Sequence, residues 1–463
     1  MEQYIKRKSL CTTEIDSFER VFGESRPDCA EDSGGSCSSK EHCDTEGKQR
    51  FFTSLIMMRI ILLSCLWGLL SLSLAQQSDT EEGGADEEVV ELFTTPRTKL
   101  SAATSDFGYN LFRALAAQDP KASVLLSPMS ISAAFTQLSM GSSERAMKQL
   151  QRVLRYHTLK DLQLHDTLRD LLAYLRAPAK GFSSVERLLI GKRLRPNLEY
   201  LNSIEKQYGE RPQTLMGGAR EIKPINDWFK QNTGGKVDRV LGTSLPRNPA
   251  VVPVGAAAFK GKWVTRFSQA GKKEEFQLDG EAPTTIAMMK QDNYPVKLGI
   301  DSDLGCTIAQ VPMEDGVSMY YFLPDDVTKN LTLIEEALTA EFVQDLANTL
   351  HSVQVQLTLP VLKLGYSTDL FGPLSDVGLS DWLSTPELDK ITSQPVKLTT
   401  VRHKVVMETA PEGSQYPSTP STRNSQSLSY SVNRPFVFLI RDEPSGALLF
   451  IGKVLNPRDL ASV

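Results

Sequence analysis

The sequence predicts a single large α+β domain, and three observations carry that prediction. Helical spacing of apolar residues dominates the first part of the folded region, while later segments switch to period-two or continuously apolar strands with helical patterns between them. No Gly/Pro-rich linker of any length divides Thr98 from Pro457, and no segment repeats another. A chain of 463 residues that is 40% apolar and 23% charged has globular composition and enough length for a sizeable core.

Residues 1–57 are expected to be a disordered upstream extension, since "CAEDSGGSCSSKEHCD" is of low complexity and supports no core. The next segment, 58–75, reads as a secretory signal peptide. Arg59 supplies a short n-region, the run Ile60 to Leu72 is apolar, and Ser73 and Ala75 stand three and one before a cut at Gln76. That run is too short, and too soon followed by acids, for a membrane span. Residues 76–97, which include "QQSDTEEGGADEEVVE", form an acidic flexible arm. The folded body then runs from 98 to 463. Four of the six cysteines precede the signal and Cys65 lies within it, so Cys306 alone remains in the mature chain and is expected to be a buried small apolar residue.

Within the body, Leu100, Phe107, Leu111 and Leu115 recur at helical spacing. A second helix starts at Ser127 as cap with Pro128 in the first turn and stops at Gly141; "SSERAMKQLQRVL" forms a third. Val353, Val355, Leu357 and Leu359 alternate with polar residues as a half-buried strand. "VVPVGAAAFKGKWVTRF", "VSMYYFLP", "PFVFLI" and "ALLFIGKVL" read as buried strands, and "NLTLIEEALTAEFVQDLANTL" as helical.

The net charge of −5 gives no global attraction to nucleic acid, so polyanion binding requires a local cluster. No G-x-S-x-G elbow, H-E-x-x-H, phosphate-binding glycine loop or metal-spaced Cys/His cluster is present, which argues against an enzyme and against a cofactor or metal. His157, His165, His351 and His403 are scattered, and His403 in "HKVV" is expected to be structural. The densest basic run, "RLLIGKRLR", holds Lys192, Arg193 and Arg195; in an extended strand Arg193 and Arg195 share a face and Lys192 opposes them, unless their long stems converge at the strand's end. Asp301 and Asp303 stand two apart near a turn, where turn chemistry or weak chelation are their ordinary uses. Asn330 in "NLT" is a glycosylation sequon or a helix cap.

The segments "SVLLSPMSIS", "INDWFKQNTGGKV", "AAAFKGKWVTRF", "HKVVMETAPEGS" and "VNRPFVFLIRDEPSGALLFIGKVLNP" resemble, in order and spacing, those that define serpins. The resemblance implies three β-sheets, eight or nine helices and an exposed reactive-centre loop over about 411–430. Inhibitory serpins insert the cleaved loop into the middle of a sheet, which requires small residues and an N–H at every position. Here Glu412, Gly413 and Ser414 follow the family pattern. Tyr416 then replaces a small residue, Pro417 and Pro420 each remove a donor, and the loop is about three residues short by the spacing to "NRPF". Gly255 stands where many inhibitors carry asparagine. The expectation is a non-inhibitory protein, with an inhibitor of a trypsin-like protease, its bait bond at Arg423–Asn424, as the alternative.

"FGYNLFRA", "QYGERPQTLMGG" and "GIDSDLGCTIAQVPM" are further similar to a secreted, non-inhibitory, anti-angiogenic and neurotrophic member of the family. That likeness implies binding of heparin, heparan sulfate or hyaluronan through Lys192, Arg193 and Arg195, and of collagen through Asp301, Asp303 and Asp345. It also implies cell-surface receptors of the patatin-like phospholipase type, although Met147 and Gln149 depart from the pattern tied to that activity. The protein is expected to act as an extracellular monomer.

Overall fold

Five strands lie side by side in the order Lys363–Asp369, Arg402–Glu408, Val251–Phe259, Phe182–Gly191 and Gln213–Leu215. They belong to a computed structural model that describes residues 92–159, 161–242, 250–328, 331–416 and 428–460. The central strand, VVPVGAAAF, is buried at every position, as a continuous small and apolar run requires when both faces of a sheet are covered. It runs antiparallel to Phe182–Gly191 on one side and parallel to Arg402–Glu408 on the other.

A second, nine-stranded sheet begins with Val124–Leu126, Ala447–Val454, Phe436–Asp442 and Val317–Pro324. It continues through Cys306–Pro312, Glu281–Asp301, His351–Pro360 and Leu428–Ser431, with Gln269–Leu278 paired to Glu281–Asp301. Gly413–Gln415 and Trp263–Thr265 make a third, two-stranded sheet. The fold is thus mixed α+β with three sheets, as the family resemblance implied. The described residues, from 92 onward, fall in one compact unit.

The helix Pro128–Ser139 fixes how the two large sheets stack. All its residues are buried, and it touches Phe182–Gly191 and Val251–Phe259 on one side and Ala447–Val454 on the other. Pro128 occupies the first turn as expected, but Ser127 does not cap with its hydroxyl. Its N–H instead donates to His403 Nε2 at 3.1 Å, because the helix start is buried against the strand that carries that histidine.

Three further boundaries differ from the sequence reading. The first helix is Pro96–Gln118, so the folded body begins inside the expected arm: Thr95 and Thr98 form a reciprocal capping box at 3.1 Å that starts the helix early. The helical pattern after Asn330 is two helices, Thr332–Ala337 and Ala340–Thr349. Leu338 is extended between them, and Thr339 restarts the helix by accepting the Phe342 N–H at 3.0 Å. The alternation in His351–Pro360 holds through Leu357 and then gives way to continuous burial. Cys306 is a buried thiol, as expected. Residues 1–57, the signal segment 58–75, Asn330, Pro417, Pro420, Arg423 and Asn424 lie outside the described residues.

A charged pair holds the far end of the nine-stranded sheet. Lys180 Nζ donates to Asp442 Oδ1 at 2.7 Å and to the Asp315 carbonyl at 2.8 Å, and it also sits 4.4 Å from the Tyr174 ring centre. Both Lys180 and Asp442 are buried, so removing one partner strands a charge in low dielectric. Lys180→Met should lower stability by about 3–5 kcal/mol, read as a fall in the denaturation midpoint. The double variant Lys180→Met/Asp442→Leu should recover part of that loss: it leaves no buried charge unpaired, the Asp315 carboxylate being partly exposed, but it takes the Asp442 acceptor from the buried Ser445 N–H and hydroxyl.

Candidate functional site

The central seam of the five-stranded sheet is closed. Six residue pairs, from Arg402↔Val254 to Met407↔Phe259, bring the parallel strands directly together and leave no place for a strand between them. After Glu408 the chain turns away and, instead of entering that seam, its next extended segment pairs elsewhere. Gly413 lies opposite Trp263 and Gln415 opposite Thr265. Pro411 accepts from the Phe267 N–H at 3.0 Å, Glu412 from Trp263 at 3.2 Å and Gln415 from Arg266 at 2.9 Å. Ser414 Oγ adds a bond to the Val264 carbonyl at 3.2 Å.

The approach is close enough to need glycine at 413: a Cβ there would stand 2.5 Å from the Arg266 backbone nitrogen. Tyr416 is 78% exposed, and the Arg266 guanidinium lies 4.9 Å from its ring centre. Sequence reading identified Tyr416 as too large to enter a sheet. It gave no sign that Arg266 holds the ring outside, because that contact joins residues 150 apart in the chain.

Beneath the seam lies a polar cluster built from three elements. His403 is 1% exposed; its Nε2 accepts the Ser127 N–H, so Nδ1 carries the proton. Nδ1 faces the Gly255 backbone, and no well-aligned acceptor meets it. The hydroxyls of Ser127 and Ser130 are also buried without partners. A Cβ on residue 255 would meet Ser130 Oγ at 2.8 Å and His403 Nδ1 at 3.5 Å, so a side chain at this position would point between the two orphaned atoms. Gly255 therefore leaves the cluster without the group that would join it.

The basic trio does not sit in a strand. Phe182–Gly191 ends at Gly191, and residues 192–194 form a single 3₁₀ turn. Leu194 is its buried anchor, while Lys192, Arg193 and Arg195 are all exposed. The expected two-faced arrangement is therefore corrected. The turn leaves all three side chains exposed beside one buried leucine, and Arg195 follows it in the left-handed region at φ 48°. Among the described residues none of the three has an ion-pair partner.

Of the acids, Asp301 serves turn chemistry, its Oδ1 accepting the Leu304 N–H at 2.9 Å, and Asp303 is exposed in the same turn. Asp345 is half-buried on the helix Ala340–Thr349. The end of that helix reaches the strand Glu281–Asp301: Leu350 Cδ2 is 2.5 Å from where a Cβ on Gly299 would be. Asp345 lies five residues back from Leu350, roughly 7.5 Å along a helix axis. Among the described residues no group of three or more His, Cys, Asp or Glu is placed to hold a metal. No helix among them is long and apolar enough to cross a membrane.

A closed parallel seam, a buried histidine beneath it and a loop anchored beside it are the working parts of a serpin. The serpin (serine protease inhibitor) family model matches residues 102–457, and the chain belongs to that family. It is similar to pigment epithelium-derived factor from Bos taurus, at 39% identity over 87% of this chain and all of that protein. The Homo sapiens counterpart is 38% identical with the same coverage. The leukocyte elastase inhibitor of Sus scrofa is 29% identical over 78% of this chain and its own full length. Among solved structures, maspin covers 78% of the chain and all of its own, with a TM-score of 0.71 at 24% identity, which speaks for the fold alone.

Burial pushes the His403 imidazole down to about 3, so it stays neutral in the folded protein. In the unfolded chain it titrates near 6.5. Its contribution to stability is therefore complete above about pH 6.5 and drains away as the pH falls towards 3, by about 1.4 kcal/mol per unit. His403→Gln should flatten the fall of melting temperature between pH 6.5 and 4; a parallel slope in both proteins would contradict the assignment.

Proposed function

We propose that this protein is a secreted, non-inhibitory serpin of the pigment epithelium-derived factor type, an extracellular anti-angiogenic and neurotrophic signalling protein. In this reading it is held to matrix by two separate faces. Lys192, Arg193 and Arg195 bind heparin, heparan sulfate or hyaluronan, and Asp301, Asp303 and Asp345 bind collagen. Signalling then proceeds through cell-surface receptors of the patatin-like phospholipase type, with a glycan at Asn330.

The observation that carries the non-inhibitory part is the hydrogen-bonded ladder of Gly413–Gln415 on Trp263–Thr265. Insertion would first have to break it, and then place Tyr416, Pro417 and Pro420 in a central strand. Each proline there removes a ladder hydrogen bond, which is why prolines are confined to edge strands and bulges. The matrix-binding part is supported by likeness to the factor and by three exposed cations on one short turn, whose closely fixed charges suit a flexible polyanion.

The rival reading, an inhibitor with its bait bond at Arg423–Asn424, draws on the family hinge Glu412–Gly413–Ser414 and on relatives such as leukocyte elastase inhibitor. Incubation with stoichiometric trypsin separates the two. The expected result is loop cleavage without an SDS-stable complex and without a large rise in melting temperature; either of those would favour inhibition.

Charge removal at Lys192, Arg193 and Arg195 together should shift elution from heparin to lower salt and leave collagen binding intact. Substitution of the three aspartates should do the reverse. Equal loss of both in either variant would refute two independent faces.

A further inference from the structure

Next to the acidic turn, the nine-stranded sheet carries an open groove of about 660 Å³ that neither matrix face uses. Its apolar lining comes from Leu298, Ile300, Leu323, Val353 and Leu428. Ile300 is 80% and Leu428 56% exposed, so two large apolar side chains stand in water at one rim. Strand register shows how the lining continues. Ile300 pairs with Thr307 and Thr307 with Leu323, which places them in one row across three adjacent strands. At about 4.8 Å per strand the row spans roughly 10 Å.

The row ends at a cation. Arg434 lines the groove and is tethered beside Leu323 by Nε donating to the Pro324 carbonyl at 2.7 Å and Nη1 to Asn433 Oδ1 at 3.3 Å. Asp325 and Asp326 act on its charge from nearby, and no ion pair between Arg434 and a carboxylate is formed among the described residues. Its Nη2 donors are not used by either of those two bonds, which leaves them for an anion in the groove. Thr307, His351, Ser429, Ser431 and Asn433 also line the groove, and the Tyr430 hydroxyl is taken up by the Thr307 and Tyr321 carbonyls, both at 3.2 Å. A chain of methylenes with one terminal anion would find an apolar track and a matching charge at its end.

We propose that this groove binds a medium- or long-chain carboxylate, a fatty-acid anion, with its head at Arg434 and its tail towards Ile300 and Leu428. Dodecanoate and dodecanol, titrated calorimetrically into the full chain, test the two halves of the idea. Dodecanoate should bind saturably at one site and at least tenfold more tightly than dodecanol. Ile300→Glu and Leu428→Glu change exposed positions, so they should keep the wild-type melting temperature and weaken dodecanoate binding at least tenfold. Arg434→Gln should erase the preference for the acid. Should that variant fail to fold, the acid-to-alcohol ratio in wild type and the Ile300→Glu result decide the matter. Absence of saturable binding, equal affinity for the alcohol, or undiminished binding by Ile300→Glu would overturn the proposal, whatever heparin and collagen do.

Discussion

The parallel pairing of Val251–Phe259 with Arg402–Glu408 is the constraint on which the rest of this structure depends. Its closure decides that the following segment must find other partners, and Trp263–Thr265 supplies them. It also buries His403 against Ser127, Ser130 and Gly255, so the strength of the seam and the protonation of one imidazole are coupled. A partly satisfied polar cluster under a central strand is costly, and here the missing side chain at position 255 leaves it so. The seam is held mainly by its backbone ladder and by the apolar side chains packed over it.

Exposed chemistry lies elsewhere. The basic turn at Lys192 follows the strand beside the seam, while the acidic turn at Asp301 ends a strand of the other large sheet. Both turns use the same local device: a buried leucine or a turn-closing carboxylate fixes the backbone, and the charged neighbours are left to solvent. This is how a stable scaffold can carry binding groups without giving up core.

Much of the fold was legible in the sequence because periodicity and burial agree. The continuous apolar runs at Val251, Val317, Phe436 and Ala447 are fully buried strands, and Leu100, Phe107, Leu111 and Leu115 line one buried helix face. What escaped were features set by tertiary contact. The bond from Ser127 to His403 joins residues 276 apart, and no local rule distinguishes it from an ordinary cap. The 3₁₀ turn at Lys192 arises because Leu194 finds a buried site, an outcome that alternation of polar and apolar residues does not encode. The Tyr416 to Arg266 contact and the row Ile300–Thr307–Leu323 beside Arg434 likewise exist only once distant strands are in register.

The parallel seam also has a history within each folding event. It unites strands whose paired residues are about 150 positions apart, and such pairings form late because the intervening chain must first be ordered. Until then Val251–Phe259, an apolar strand without a charged residue, has one edge unpaired. An edge of that kind is a template for any strand that reaches it, including one from another copy of the same chain. Conditions that slow closure of the seam therefore set how much newly made protein escapes self-association, independently of how stable the finished molecule is.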